Sequence, residues 1–273
     1  MTYTPVLPMG GYAGWTLLNR TMTKQTETFV KSPQFKRDED YFRANIGKIT
    51  TAEQLVKDRR LLKVALGAFG LDADINNKAF IEKVLKDGTL TTTALSNKLA
   101  DKQYLKLSAA FGFGDFATPR TKLSDFPGQI ITAYRARQFE AAVGNQDGDL
   151  RLALNAQREL GALAGKTGSE TTKWFGILGN SALKQVFTKA LGLPASVGSI
   201  DLDQQLKLFQ DKAGSVFGST AISQFTDPAK VDALIRRFLV RSQVDAISGQ
   251  NGSGAAVLAM LQQTNSFIRS NRS

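Results

Sequence analysis

Displaced by 122 residues, the sequence overlays part of itself: Thr50–Leu71 falls on Thr172–Leu193 without a gap. Leu55 and Val56 meet Ile177 and Leu178, and Leu61, Val64 and Ala68 meet Leu183, Val186 and Ala190. Asp58 meets Asn180, both residue types that cap a helix N-terminus, and Gly70 meets Gly192, where a helix ends in the left-handed region. Any two amphipathic helices share apolar spacing. It is the caps, apolar positions and terminators falling in one register that argue for duplication. The likeness continues more loosely, AFIEKVLKDG (79–88) with QQLKLFQDKAG (204–214) and LADKQYLKLSAAF with FTDPAKVDALIRRF. The two copies are single and separated, which is not the pattern of a solenoid.

The rest of the chain is helical in the same sense. Ser32-Pro33 reads as an N-cap followed by proline at the first helical position, and Thr50 with Glu53 has the spacing of a capping box. Gly70, Gly88 and Gly112 each follow an apolar helical run, and Asp227-Pro228 opens a helix with Val231, Leu234, Ile235 and Phe238 on one stripe. Phe126–Gly144 and Leu150–Leu163 form a helical hairpin turned by Asn145-Gln146-Asp147-Gly148. No series of alternating strands interrupts this. The expected fold is all-α, a multi-helix bundle with two related helical units (about 50–112 and 172–240) around a central helical hairpin.

In domain terms, residues 1–48 form an N-terminal arm and helices, 49–116 the first repeat and 117–168 the hairpin. Residues 169–247 form the second repeat and 248–273 a linker with a C-terminal helix, all within one compact unit.

Composition removes much chemistry. The 273 residues include no cysteine and no histidine, which excludes disulfides, thiol catalysis, Ser-His activation and the common zinc sites. No apolar run reaches the roughly 18 residues that span a bilayer. The start, MTYTPVLPMGGYAGW, has neither a basic n-region nor a continuous apolar core, so no cleavable signal peptide is evident. The net charge of +11 invites a nucleic-acid reading. It is spread thinly, as +2 over 1–46, +4 over 47–120, +2 over 121–225 and +3 over 226–273. Clusters such as Arg59, Arg60 and Lys63, or Arg236, Arg237 and Arg241, read as solvated helix faces.

The motifs that suggest chemistry fail on spacing. In GALAGKTGSE only three residues separate Gly161 from Gly165, where a phosphate-binding loop needs four, and the segment follows a helix instead of a strand. LDADINNKAFIEK places Asp72, Asp74 and Asn76 at calcium-loop positions, but Asn77 stands where glycine is needed and Lys83 where a bidentate glutamate is needed. The triplet Asp38-Glu39-Asp40 reads as a solvated helix face.

A candidate structural ion-pair network comprises Arg135, Arg137, Glu140, Arg151 and Arg158 on the hairpin, with Glu140 pairing Arg151 or Arg158. Phe69, Phe80, Phe111, Phe139, Phe187, Phe209 and Phe238 fall at core spacing. Tyr12 and Trp15 in the apolar start, and Leu258 and Leu261 in the stretch after Gly254, are candidate docking residues for a partner or for the chain's own body.

Several stretches resemble one bacterial family, known as domain of unknown function 1217. They are LPMGGYAGWTLLNRT, DRRLLKVALGAFGLDADINNKAFIEKVL, ALSNKLADKQY and KLSAAFGFGDFATPRTKLSDF on either side of Leu105, YRARQFEAAVGNQDGDLRLALNAQREL, WFGILGNSALKQVFTKALGLP and SIDLDQQL. The resemblance implies an all-helical protein often encoded among flagellar genes, and it carries over no catalytic residue. The expected function is therefore that of a non-enzymatic, flagellum-associated structural or assembly protein. It would act through protein–protein contacts with flagellar components, in the cytoplasm or the flagellar basal body. The alternative is a nucleic-acid-binding protein using diffuse positive charge. No catalytic, cofactor-binding or metal-ligating residue is assigned, no cofactor is expected, and no membrane span is foreseen.

Overall fold

Residues 3–250 are described by a computed structural model, and among them there is no strand. The helices are α1 (Gly11–Val30), α2 (Pro33–Asn45), α3 (Ala52–Lys57), α4 (Arg59–Phe69), α5 (Lys78–Asp87), α6 (Leu95–Lys98) and α7 (Gln103–Phe111). There follow α8 (Phe126–Gly144), α9 (Gly148–Ala164), α10 (Glu170–Leu178), α11 (Ser181–Leu191), α12 (Leu202–Phe217) and α13 (Pro228–Gln250). Short 3-10 turns at Ile46–Lys48, Asp72–Asn76, Arg120–Lys122, Ala195–Ser199 and Ile222–Thr226 join them. The fold is all-α, and none of these helices is long and apolar enough to cross a membrane.

The chain divides into two compact units. The first gathers the residues up to Pro8 with Leu17–Arg151, the second Met9–Thr16 with the chain from Leu152 onward. The division falls inside α1 and α9.

In the first unit α4 is buried on nearly every side. Leu61, Leu62, Val64, Ala65 and Leu66 are all in the core, the signature of a central helix and not a surface one. It packs against α2, α3, α7 and α8. Its closest neighbour is α8: a Cβ built on Gly67 would stand 2.6 Å from the Tyr134 ring, so glycine there sets the helix spacing. The Tyr134 ring in turn stacks on Phe35, 4.8 Å between centroids. The second unit centres on α11, against α10, α12 and α13. Trp174, Phe187, Phe209 and Phe225 meet edge to face there, and α13 adds the expected stripe of Val231, Leu234, Ile235 and Phe238.

Each unit contains a helix pair ended by the same chemistry. The Asp58 carboxylate accepts from the amides of Arg60 and Leu61 at the start of α4, and the Asn180 side chain accepts from Leu183 at the start of α11. Gly70 (φ 73°) and Gly192 (φ 69°) close the two helices. The Leu71 amide then reaches the Leu66 carbonyl at 3.0 Å, and Leu193 reaches Thr188 at 2.9 Å, each spanning the same five residues. The helices before them differ. Ser169 caps α10 a turn earlier than Thr51 caps α3. The capping box expected at Thr50 and Glu53 is displaced by one residue: Thr51 accepts from the Gln54 amide, and the Gln54 side chain accepts from the Thr50 amide.

Candidate functional site

The triplet on α2 is not a solvated face. Phe35, Asp38, Glu39 and Phe42 occupy the i, i+3, i+4 and i+7 positions of one stripe, and both carboxylates are carried into the interior with the two rings, each only 5 % exposed. Asp38 pairs with Lys63 of α4 at 2.7 Å. Glu39 receives two parallel hydrogen bonds from Arg135 of α8, the Nε one at 2.7 Å, and these hold the guanidinium pKa above its ordinary value. Two neighbouring acids on one helix thus join two other helices. Asp40 alone of the triplet is exposed.

The hairpin arginines have partners both within the hairpin and beyond it. Arg135 pairs with Glu39, a partner outside the hairpin. Arg137 lies 3.8 Å from Glu140 and donates to the Gln103 side chain at 3.1 Å. Arg151 is exposed and its aliphatic stem covers Gly144, while Arg158 pairs with the adjacent Glu159. The basic clusters read as solvated faces are exposed at Arg59, Arg60, Lys63, Arg236 and Arg241, and members of both also have internal partners. Arg60 lies over the Tyr41 ring at 3.8 Å, and Arg237 donates to the Ala190 carbonyl at 2.6 Å, where α11 exposes unpaired acceptors.

GALAGKTGSE joins the end of α9 to the start of α10, with Ser169 accepting from the Thr172 amide as N-cap. A helix–turn–helix link does not offer the strand-borne nest of amides that wraps a phosphate. The candidate calcium loop is a 3-10 turn whose carboxylates accept from protein donors: Asp72 from Gln138, and Asp74 from Tyr104 and Asn77. Lys83 points along α5 to Asp87. Among the described residues no three or more acidic groups converge as a metal site would need.

Of the docking candidates, Trp15 is buried, with its indole N–H unpartnered, and offers no surface to a partner. Tyr12 is half-buried against α13 within the second unit, its hydroxyl 3.5 Å from Asp232 and its ring beneath Arg236. Leu258 and Leu261 lie outside the described residues.

A different surface is exposed instead, and no motif pointed to it. Between α7 and α8 the chain runs through a long loop in the first unit. The Asp115 carboxylate accepts from the amides of Thr89 and Leu90 and from the Thr89 hydroxyl, at 2.5, 3.2 and 2.8 Å. Backbone meets backbone here: a Cβ on Gly114 would lie 2.3 Å from the Lys86 carbonyl oxygen. Further along, buried Thr121 donates to the Ile49 carbonyl and Lys122 to that of Gly47. On this fixed frame Leu90, Phe116 and Leu123 stand outward, 73, 45 and 53 % exposed, with Arg120 over the Phe116 ring. Rigidly held loops that display apolar side chains are where binding surfaces are found.

Fold and surface together define an all-helical protein whose buried polar groups are largely occupied in holding helices together. The family described as protein of unknown function DUF1217 matches residues 68–231, more than half of the chain. The protein belongs to that family. It is also similar to a crystal structure of a structural-genomics target from Agrobacterium tumefaciens, at 26 % identity and a TM-score of 0.72, over 89 % of this chain and 99 % of that one. No curated protein matches it in sequence.

Proposed function

We propose that this is a non-enzymatic helical scaffold that works through protein contacts in the structure or assembly of the flagellum, at the basal body or in the cytoplasm. The observation that carries the reading is the pinned loop with Phe116 and Leu123 exposed on it, and Leu90 exposed on the segment after α5 to which it is tied. The flagellar setting comes from what the sequence resemblance implies. The matched caps of α4 and α11 support a duplicated scaffold as the origin of the two units. Diffuse positive charge is the basis of the competing nucleic-acid reading. It is weakened because Arg237 and Lys63 are taken up by internal partners.

The test is capture of flagellar components from a flagellated host. The intact chain should recover them and the doubly substituted F116D/L123D chain should not. Equal recovery by both removes the loop from the reading. Recovery of nucleic acid, lost steeply as salt rises, would favour the competing one.

A further inference from the structure

The apolar loop of the first unit has a counterpart of opposite charge in the second. Around Phe116 and Leu123 the exposed charged groups are Arg120, Lys122 and Asp125, two cations against one acid, and neither cation is in an ion pair among the described residues. Lys122 also donates to the Gly47 carbonyl, Asp125 accepts from the Gln129 side chain, and the second acid, Asp115, is turned inward onto Thr89 and Leu90. At the start of α12 the order is reversed. Ile200 and Leu202 are 38 and 49 % exposed, and Asp201 and Asp203 stand beside them. Asp201 caps α12 by accepting from the Asp203 amide. The Asp203 carboxylate has no ion pair among the described residues. This turn is also held in shape: the buried Gln205 amide donates to the Ile200 carbonyl at 2.7 Å and is itself gripped by Lys184. One surface is apolar and cationic, the other apolar and anionic, and each sits on a preset backbone.

We propose that the partner of the Phe116 surface is a second copy of this chain, which presents Ile200, Leu202 and Asp203. The proposal rests on the reading of the loop as a contact surface. Because the two patches differ, the contact is heterologous. Each copy offers both patches, so association through them builds a row, a ring or a reciprocal pair. With two or three apolar side chains on each side the interface belongs to the weak class. Its flanking charges are screened by salt, so it forms at high protein concentration and low ionic strength.

Sedimentation velocity of the full-length protein, from on the order of 10 to 500 μM, tests this at about 50 mM salt. The intact chain should sediment faster as concentration rises. R120E/K122E and D201N/D203K should each stay monomeric, the asparagine keeping the helix cap, and their equimolar mixture should associate again. Circular dichroism verifies that both variants keep their helices.

A monomer at every concentration overturns the proposal, as does association that survives either charge reversal or a mixture that fails to recover it. Flotation with anionic phosphatidylglycerol vesicles supplies a further arm. Binding lost in R120E/K122E and kept in D201N/D203K would assign the surface to lipid and also overturn it. A monomeric chain leaves the F116D/L123D capture to decide the contact reading by itself, so the two failures are distinguishable.

Discussion

Arg135 of α8 holds Glu39 of α2 in a two-pronged ion pair, although 96 residues separate them in sequence. Glu39 is buried and Arg135 is partly exposed, so the two ends of the pair are not equivalent. Truncating the arginine strands a carboxylate in the interior, whereas neutralising the acid leaves a guanidinium that water can reach.

R135A is therefore expected to lower stability by about 2 kcal/mol and E39Q by about 1 kcal/mol, the partial exposure of the pair keeping both below the cost of breaking a fully buried one. Urea unfolding followed by far-UV circular dichroism measures both. An R135A midpoint at or above that of E39Q contradicts the asymmetry.

Glycines separate in the same assay. G67A drives a methyl group into the Tyr134 ring and should cost about 1–3 kcal/mol. Gly161, inside α9 with nothing within 4 Å of its added Cβ, should do the opposite: G161A gains about 0.5–1 kcal/mol from helix propensity.

The two N-caps should differ by two contacts, the Arg60 amide and the Tyr41 hydroxyl that Asp58 also accepts from. N180A removes a single cap acceptor, at about 1 kcal/mol. D58A removes the equivalent cap and also the acceptor of the Tyr41 hydroxyl, so it should be the more damaging. D58N, which keeps a capping oxygen, should recover most of the loss. Equal midpoints for N180A and D58A would remove Tyr41 from the account.

Glu170 links α10 to the Ile222–Thr226 turn. Burial acts to raise its pKa, but the hydrogen bond from Lys173 and those from Ser223 and Ile222 outweigh this and hold the carboxyl below its ordinary value. A depressed folded pKa means that the unfolded chain takes up the proton first. The stabilisation is thus whole above the unfolded value of about 4.3 and fades as pH falls through the folded one. The gap in stability between wild type and E170Q should be constant from neutral pH to about 5 and close under acid. A gap that widens under acid reverses the sign of the argument.

Local chemistry was legible where it is decided locally. The helix Phe126–Gly144 has the expected limits, and Asp58, Asn180, Gly70 and Gly192 occupy the capping positions their residue types suggest. Helix ends are set by groups within four residues, and sequence contains them. What sequence concealed was pairing across long separations. The spacing of Phe35, Asp38, Glu39 and Phe42 already placed both acids on the buried stripe. Reading a charge as solvated outweighed that spacing, because the compensating Lys63 and Arg135 come from elsewhere in the chain. The Phe116 surface had no signal at all. Its exposure depends on how Asp115, Gly114 and Thr121 tie the loop down, and none of those contacts has a periodicity.

Gln25 clasps the amide and the carbonyl of Val6 together, through its own oxygen at 2.7 Å and its nitrogen at 3.3 Å, while the Val6 side chain faces solvent. The grip reads only the main chain at that point. Substitution at position 6 can therefore change the side chain on the arm without changing where the arm lies.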